Sequence, residues 1–121
     1  MKYKYISPKD IQQVIIGIYL SSRISVTDIN QLADLLADLL DSENLSYTFV
    51  RFPNDNYTLV TVLSTSHVAI STYFDDEKKE YYLDVDVVWC SGKSLDQRVL
   101  EEEIRRLFGN KIKKIEIRKI R

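Results

Sequence analysis

Apolar residues recur along this chain with two different periods, and the switches between them mark out the elements. Val14–Leu20 is a short, nearly continuous apolar run, as a buried strand would be, and too short to span a bilayer. Pro8 stops regular structure in a lead-in of residues 1–10, and Ser21–Val26 reads as a connection. Ile29, Leu32, Ala33, Leu36 and Leu40 then recur at the spacing of one helix face. Thr27 is the expected N-cap, and Asp28 suits the positive end of the helix dipole. Asp34, Asp38 and Asp41 share the opposite face, which reads as solvated rather than as a metal or basic-partner site.

Alternation takes over after the helix. Ser46–Phe52 sets Tyr47, Phe49 and Arg51 against Thr48, Val50 and Phe52, and Pro53-Asn54-Asp55-Asn56 is a turn cluster. Tyr57–Leu63, His67–Phe74 and Tyr81–Trp89 alternate again, with Asp75–Glu80 as a charged hairpin loop. Asp84 and Asp86 lie on one face of their strand, so that face is partly wet or lines a site. Ser94-x-x-Gln97 has the form of a capping box for a second helix striped by Leu100, Ile104, Leu107 and Phe108. Gly109 is placed to end that helix in the left-handed conformation. The chain closes with a strand over Ile112–Ile120, whose interleaved Lys and Arg suit a charged sheet edge better than an RNA-binding strip.

These elements predict an α+β fold over a single domain of residues 1–121. It is a two-layer sandwich, a mainly antiparallel sheet with two helices on one face, in the order β-α-β-β-β-α-β. Helices after the first and fifth strands cover one sheet face, and the other face needs a partner subunit or a bound ligand.

Composition narrows the chemistry. A length of 121 residues allows one core, and a formal net charge of −1 argues against a nucleic-acid binder or a membrane-surface protein. The lysines of Met1–Tyr5 are not followed by an apolar stretch, so no signal peptide is expected. The single cysteine, Cys90, excludes a disulfide within the chain and suits a reducing, cytoplasmic setting. With one histidine, His67, the chain lacks the ligands of a His/Cys zinc site, and no metal is expected. There is no G-x-S-x-G and no glycine-rich phosphate loop.

If the charged hairpin is centred between Glu77 and Lys78, residues pair across it when their numbers sum to about 155. Ser66 then falls opposite Trp89, next to Cys90. One hydroxyl, the only histidine and the only thiol meet at the open end of one hairpin. The alternative is inert packing, since buried cysteines and Ser/Thr-rich strand ends are common.

The segment Leu63-Ser64-Thr65-Ser66-His67-Val68-Ala69-Ile70-Ser71-Thr72-Tyr73 resembles the processing site of the prokaryotic S-adenosylmethionine decarboxylases, which carry Glu-Ser-His-Leu-Thr-Ile-His-Thr-Trp there. Leu83-Asp84-Val85-Asp86-Val87-Val88-Trp89-Cys90-Ser91-Gly92 is similar to their Ile-Asp-Leu-Phe-Thr-Cys-Gly strand, and Arg51-Phe52-Pro53 to their Arg-Phe-Leu-Pro. The resemblance implies a self-processing, pyruvoyl-dependent decarboxylase working as a homodimer, with S-adenosylmethionine, in polyamine synthesis, or a related amino acid such as arginine as its substrate. The Ser66 hydroxyl would attack the carbonyl of Thr65, cut the Thr65–Ser66 bond and leave a pyruvoyl group on the downstream fragment. That group would accept electrons as the substrate loses carbon dioxide, and Cys90 would be the general acid. By the same resemblance Thr58 stands at a processing serine of the preceding strand, and Phe52, Val68, Tyr73 and Asp75 stand at substrate-contacting positions.

Two departures matter. Thr65 replaces a family glutamate, and Ser71 replaces a second histidine that assists self-processing. A hydroxyl is a poor proton shuttle near pH 7. His67 is the substitute at hand, but adjacent strand residues face opposite sides. A second reading is therefore a non-processing, catalytically inactive homologue that binds a small ligand or a partner subunit. A small nucleic-acid module would rest on the basic last strand alone, without the RNP-type aromatic and glycine pattern.

Overall fold

The computed structural model describes residues 7–121. The first six residues of the lead-in, including the whole Met1–Tyr5 segment weighed as a signal peptide, lie outside the described residues. Pro8–Asp10 forms a short 3-10 turn. The elements are β1 (Gln12–Leu20), α1 (Val26–Leu39), β2 (Asn44–Arg51), β3 (Tyr57–Leu63), β4 (Ser66–Asp75), β5 (Glu80–Trp89), α2 (Gln97–Phe108) and β6 (Ile112–Lys119). The order is thus β-α-β-β-β-β-α-β: the four alternating segments between the helices are four strands, one more than the expected order counts. The four are distinct because three separate turns divide them. These turns are the Pro53–Asn56 cluster, a two-residue connection at Ser64-Thr65, and residues 76–79.

One antiparallel sheet runs β2-β3-β4-β5-β1-β6. It is an α+β sandwich because strand alternation sends one apolar set to one face only. Val14, Ile16 and Ile18 of β1, Val68 and Ile70 of β4, and Leu83, Val85 and Val87 of β5 are fully or almost fully buried. Ile29, Leu32, Ala33 and Leu36 of α1 and Leu100, Ile104 and Phe108 of α2 pack on them. The basic last strand lies at one edge of the sheet, where charge guards against edge-to-edge pairing.

Helix ends differ from expectation in instructive ways. The N-cap of α1 is Ser25, not Thr27: Ser25 Oγ accepts from Asp28 N at 3.2 Å, and Asp28 Oδ2 accepts from Ser25 N at 3.2 Å. The N-cap of α2 is Asp96, not Ser94, because its carboxylate accepts from both Arg98 N (2.8 Å) and Val99 N (3.3 Å). Gly109 does end α2 with a positive φ of 61°, but its ψ of −135° lies outside the left-handed helical well. The acidic row of α1 is not merely solvated, since Asp34 accepts from Asn44 Nδ2 and Tyr47 Oη, each at 2.6 Å, and Asp41 pairs with Lys93 at 2.8 Å.

Candidate active site at the Ser66–Cys90 junction

The register of β4 against β5 pairs Ser66 with Trp89, His67 with Val88 and Asp75 with Glu80. Cys90 follows directly, at the end of β5. Its backbone N–H donates to Thr65 O at 3.3 Å, and its Sγ donates to the same oxygen at 3.1 Å. Thr65 O belongs to the Thr65–Ser66 peptide bond. Two donors from one residue therefore converge on the carbonyl of the bond at which the resemblance leads one to expect cleavage, in the manner of an oxyanion hole.

The turn that presents this bond is held from the other side. Two-residue hairpin turns that match strand twist need positive φ, but among the described residues neither Ser64 nor Thr65 has it. Hydrogen bonds fix the turn instead. Ser42 Oγ lies 3.0 Å from Ser64 Oγ and accepts from Thr65 Oγ1 at 3.0 Å and Thr65 N at 3.3 Å. Ser64 N donates to Glu43 O at 2.9 Å, and Ser64 Oγ accepts from Glu43 N at 3.0 Å. Sequence reasoning missed Ser42. Its only signal is a hydroxyl in the polar Asp41-Ser42-Glu43-Asn44 run that leaves α1, and that signal carries no period.

His67 is exposed, and its side chain makes no hydrogen bond among the described residues. Burial along β4 alternates so that Val68, Ile70 and Thr72 face the helices while Ser71 and Tyr73 face the open side. His67 has the parity of the open side and Ser66 the parity of the helix side, so they do not share a face. Val68 is fully buried under the helices, two residues from Ser66.

The remaining predicted residues gather elsewhere. Thr58 and Ser71 are register partners, and their hydroxyl oxygens lie 2.9 Å apart. The two positions that depart from the family's serine and histidine thus form one hydroxyl pair. Phe52, Asn54, Asn56, Thr58, Ser71 and Tyr73 line a pocket of about 260 Å³ on the open face. Asp75 ends β4, and its Oδ1 accepts from Glu77 N and Lys78 N, each at 3.1 Å, so its carboxylate is committed to the 76–79 turn. Ser71 lies five strand residues from Ser66, about 16 Å along β4. Within one chain the predicted residues form two clusters, a cleavage junction at one end of the sheet and an aromatic hydroxyl pocket toward the other.

A buried amide anchors the pocket. Asn56 Nδ2 donates to Phe74 O at 3.1 Å, and Asn56 Oδ1 accepts from Phe74 N at 2.7 Å and from Thr72 Oγ1 at 2.9 Å. Thr72 Oγ1 in turn accepts from Tyr57 N at 3.0 Å. The amide thus mimics a peptide group, carrying the β3–β4 ladder past the start of β3. Beyond it lies a tyrosine row, with Tyr82 centred 4.9 Å from Tyr19 and 6.0 Å from Tyr73. Burial first, and then the charge of Asp84, push the Tyr82 hydroxyl up to about 12.

The fold and the junction define a class, an α+β sandwich in which a strand-end thiol engages the peptide bond before a serine. The sequence model of the S-adenosylmethionine decarboxylase family matches residues 12–121, and the chain belongs to that family. Among solved structures it is similar to the adenosylmethionine decarboxylase of Aquifex aeolicus VF5, with a TM-score of 0.64 and 19% identity over 90% of this chain and 87% of that one. At that identity the likeness shows the shared fold. No curated protein sequence matches the chain significantly. No helix among the described residues is long and apolar enough to cross a membrane.

Proposed function

We propose that this chain is a self-processing, pyruvoyl-dependent decarboxylase of S-adenosylmethionine, serving polyamine synthesis in the cytoplasm. The observation that carries the reading is the pair of Cys90 donors on Thr65 O. Attack by Ser66 Oγ on that carbonyl carbon would break the C–N bond and shift the Thr65 acyl group to the hydroxyl oxygen, the proton passing to the freed amine. Negative charge grows on Thr65 O during the attack, where the Cys90 N–H and S–H already point. Loss of the Ser66 α-proton would then expel Thr65 as a carboxylate, and water would release ammonia.

These residues fit the group that such processing leaves. A pyruvoyl group supplies an electrophilic carbonyl that accepts electrons as carbon dioxide departs. Cys90 has a thiol within reach of the same centre and serves as the acid that returns a proton to the substrate carbon. Phe52 and Tyr73 offer aromatic faces to a purine or a sulfonium cation. His67, Val68 and Asp75 take lesser parts: His67 as an exposed base near the junction, Val68 as packing beneath it, Asp75 as the brace of the far turn.

The two clusters would work together in a homodimer. Val50, Phe52, Val62 and Tyr73 are each at least 44% exposed on or beside the open sheet face, which supports a second copy as its cover. In such a dimer the Thr58–Ser71 pocket of one protomer would complete the Thr65–Ser66 junction of its partner.

The Thr58–Ser71 hydroxyl pair favours a second reading, an unprocessed homologue that binds a small ligand or a partner subunit, because neither hydroxyl is basic enough to take a proton near pH 7. Release of carbon dioxide from carboxyl-labelled S-adenosylmethionine separates the two. The first reading expects turnover that Ser66→Ala abolishes. Turnover that survives Ser66→Ala contradicts it.

A further inference from the structure

On the helix side of the sheet, behind the Phe52–Asn56 loop, lies an open cleft of about 400 Å³ that the decarboxylase reading does not use. The N-terminus of α1 forms one wall, through Ser25 and Val26. The α1 helix is 14 residues long, and its capping box occupies only the amides of Ser25 and Asp28. The N–H groups of Val26 and Thr27 have no partner among the described residues, so partial positive charge is left at the cleft.

The opposite wall is Tyr57, which is 6% exposed. Its hydroxyl is the one buried side-chain polar atom without a hydrogen-bond partner among the described residues. Such a group is costly to leave unmet, and each one calls for an explanation. Arg51 and Arg23 line the same cleft. Burial pushes the Tyr57 pKa up, Arg51 and Arg23 draw it back down, and Asp28 raises it. Arg23 is already engaged: its Nε–H is shared between Asp76 Oδ1 at 3.0 Å and Oδ2 at 2.9 Å, and its Nη1 donates to Asp55 O at 3.2 Å. Asp76 is held below the usual carboxylate range by hydrogen bonds from Tyr81 and Arg23, so it stays ionised and its charge is offset by Arg23. Arg51 makes no ion pair or side-chain hydrogen bond among the described residues and is the open cation of the cleft; the exposed Asp55 carboxylate, also without such a partner among them, is the one charge there that opposes an anion.

We infer that this cleft binds a small oxyanion, the phosphate or carboxylate group of a metabolite. Arg51 supplies the charge, Tyr57 Oη a hydrogen bond, and the Val26 and Thr27 amides the helix end. The cleft shares the Phe52–Asn56 loop with the aromatic pocket on the open face, Asp55 lining one and Phe52 and Asn56 the other. An occupant therefore bears on the loop that carries Phe52. The inference stands apart from the decarboxylase reading and survives its failure.

The test is an amide-resolved titration of the ¹⁵N-labelled full chain with inorganic phosphate and, separately, acetate, against chloride at fixed pH and ionic strength. Saturable shifts of the Val26 and Thr27 amides are expected with at least one anion. Phosphate alone would assign the cleft to phosphate-bearing ligands, and acetate alone to carboxylates. Arg51→Gln, at an exposed position, should weaken binding about tenfold or more, and the near-isosteric Tyr57→Phe about threefold or more. Circular dichroism establishes that both variants fold. No saturable shift with either anion, or equal affinity in both variants, overturns the inference.

Discussion

Replacing Asn56 with alanine tests how the pocket wall is held. Asn56 is 9% exposed and makes three side-chain hydrogen bonds of 2.7–3.1 Å, two of them to the backbone of Phe74. Those two groups lie beyond the β3–β4 register, which begins at the Thr58–Ser71 pair, so no strand residue replaces the amide. The substitution leaves a buried N–H and a buried C=O unmet, at about 1–2 kcal/mol each, and removes the acceptor for Thr72 Oγ1. The expected loss is about 3 kcal/mol. For a chain of this length the unfolding entropy near the midpoint is about 0.25 kcal/mol/K, so Tm should fall by about 12 °C. Urea unfolding, followed by both fluorescence and circular dichroism, measures the loss directly if the two transitions coincide. A loss below about 1 kcal/mol would refute the reasoning, because it would mean that water or a shifted backbone satisfies Phe74 as well as the amide does.

Three further outcomes are expected. A Cβ at Gly17 would come within 2.8 Å of Tyr82 Oη, so Gly17→Ala should displace Tyr82 from Asp84 and cost about 1–3 kcal/mol in urea unfolding. A gain in stability, as lower chain entropy alone would give, would show that the tyrosine row is not tightly seated on Gly17. The raised Tyr82 pKa means that the folded state holds its proton more tightly than the unfolded state does. Its contribution is therefore intact below pH 10 and lost as pH rises toward about 12, with a slope of at most about 1.4 kcal/mol per pH unit. Tyr82→Phe should flatten that alkaline limb, and an unchanged limb would assign it to other groups. Cys90→Ala removes the thiol donor from Thr65 O but keeps the backbone N–H, so any cleavage should slow about tenfold or more while the N–H still supports a residue of it. An unchanged cleavage rate would mean that the thiol does not assist the attack.

The sheet was legible because its signal is periodic. The alternation of β3, β4 and β5 marked which residues face the helices, and the charged turn alone set the register that brings Ser66 opposite Trp89. The helix caps were not, because Ser25, Thr27, Ser94 and Asp96 are all good capping residues, and only tertiary placement selects among them. The Ser66–Cys90 junction was legible from that register. The separation of Thr58 and Ser71 from it was not, because a resemblance carries residue identities along the chain but not their distances apart. Ser42 and Asn56 act through long-range hydrogen bonds that leave no local pattern. The orphaned Tyr57 hydroxyl is likewise visible only in three dimensions, since in sequence Tyr57 is one more inward residue of an alternating strand.

The central claim is that the Thr65–Ser66 bond is built to break. Intact mass of the purified chain under denaturing conditions tests it most directly, with Ser66→Ala alongside. The account predicts two fragments, residues 1–65 and a piece beginning at position 66 that is lighter by one ammonia than simple hydrolysis would leave, and a single uncut chain for Ser66→Ala. One uncut chain from the unaltered protein after long incubation, or cleavage that persists in Ser66→Ala, would contradict it.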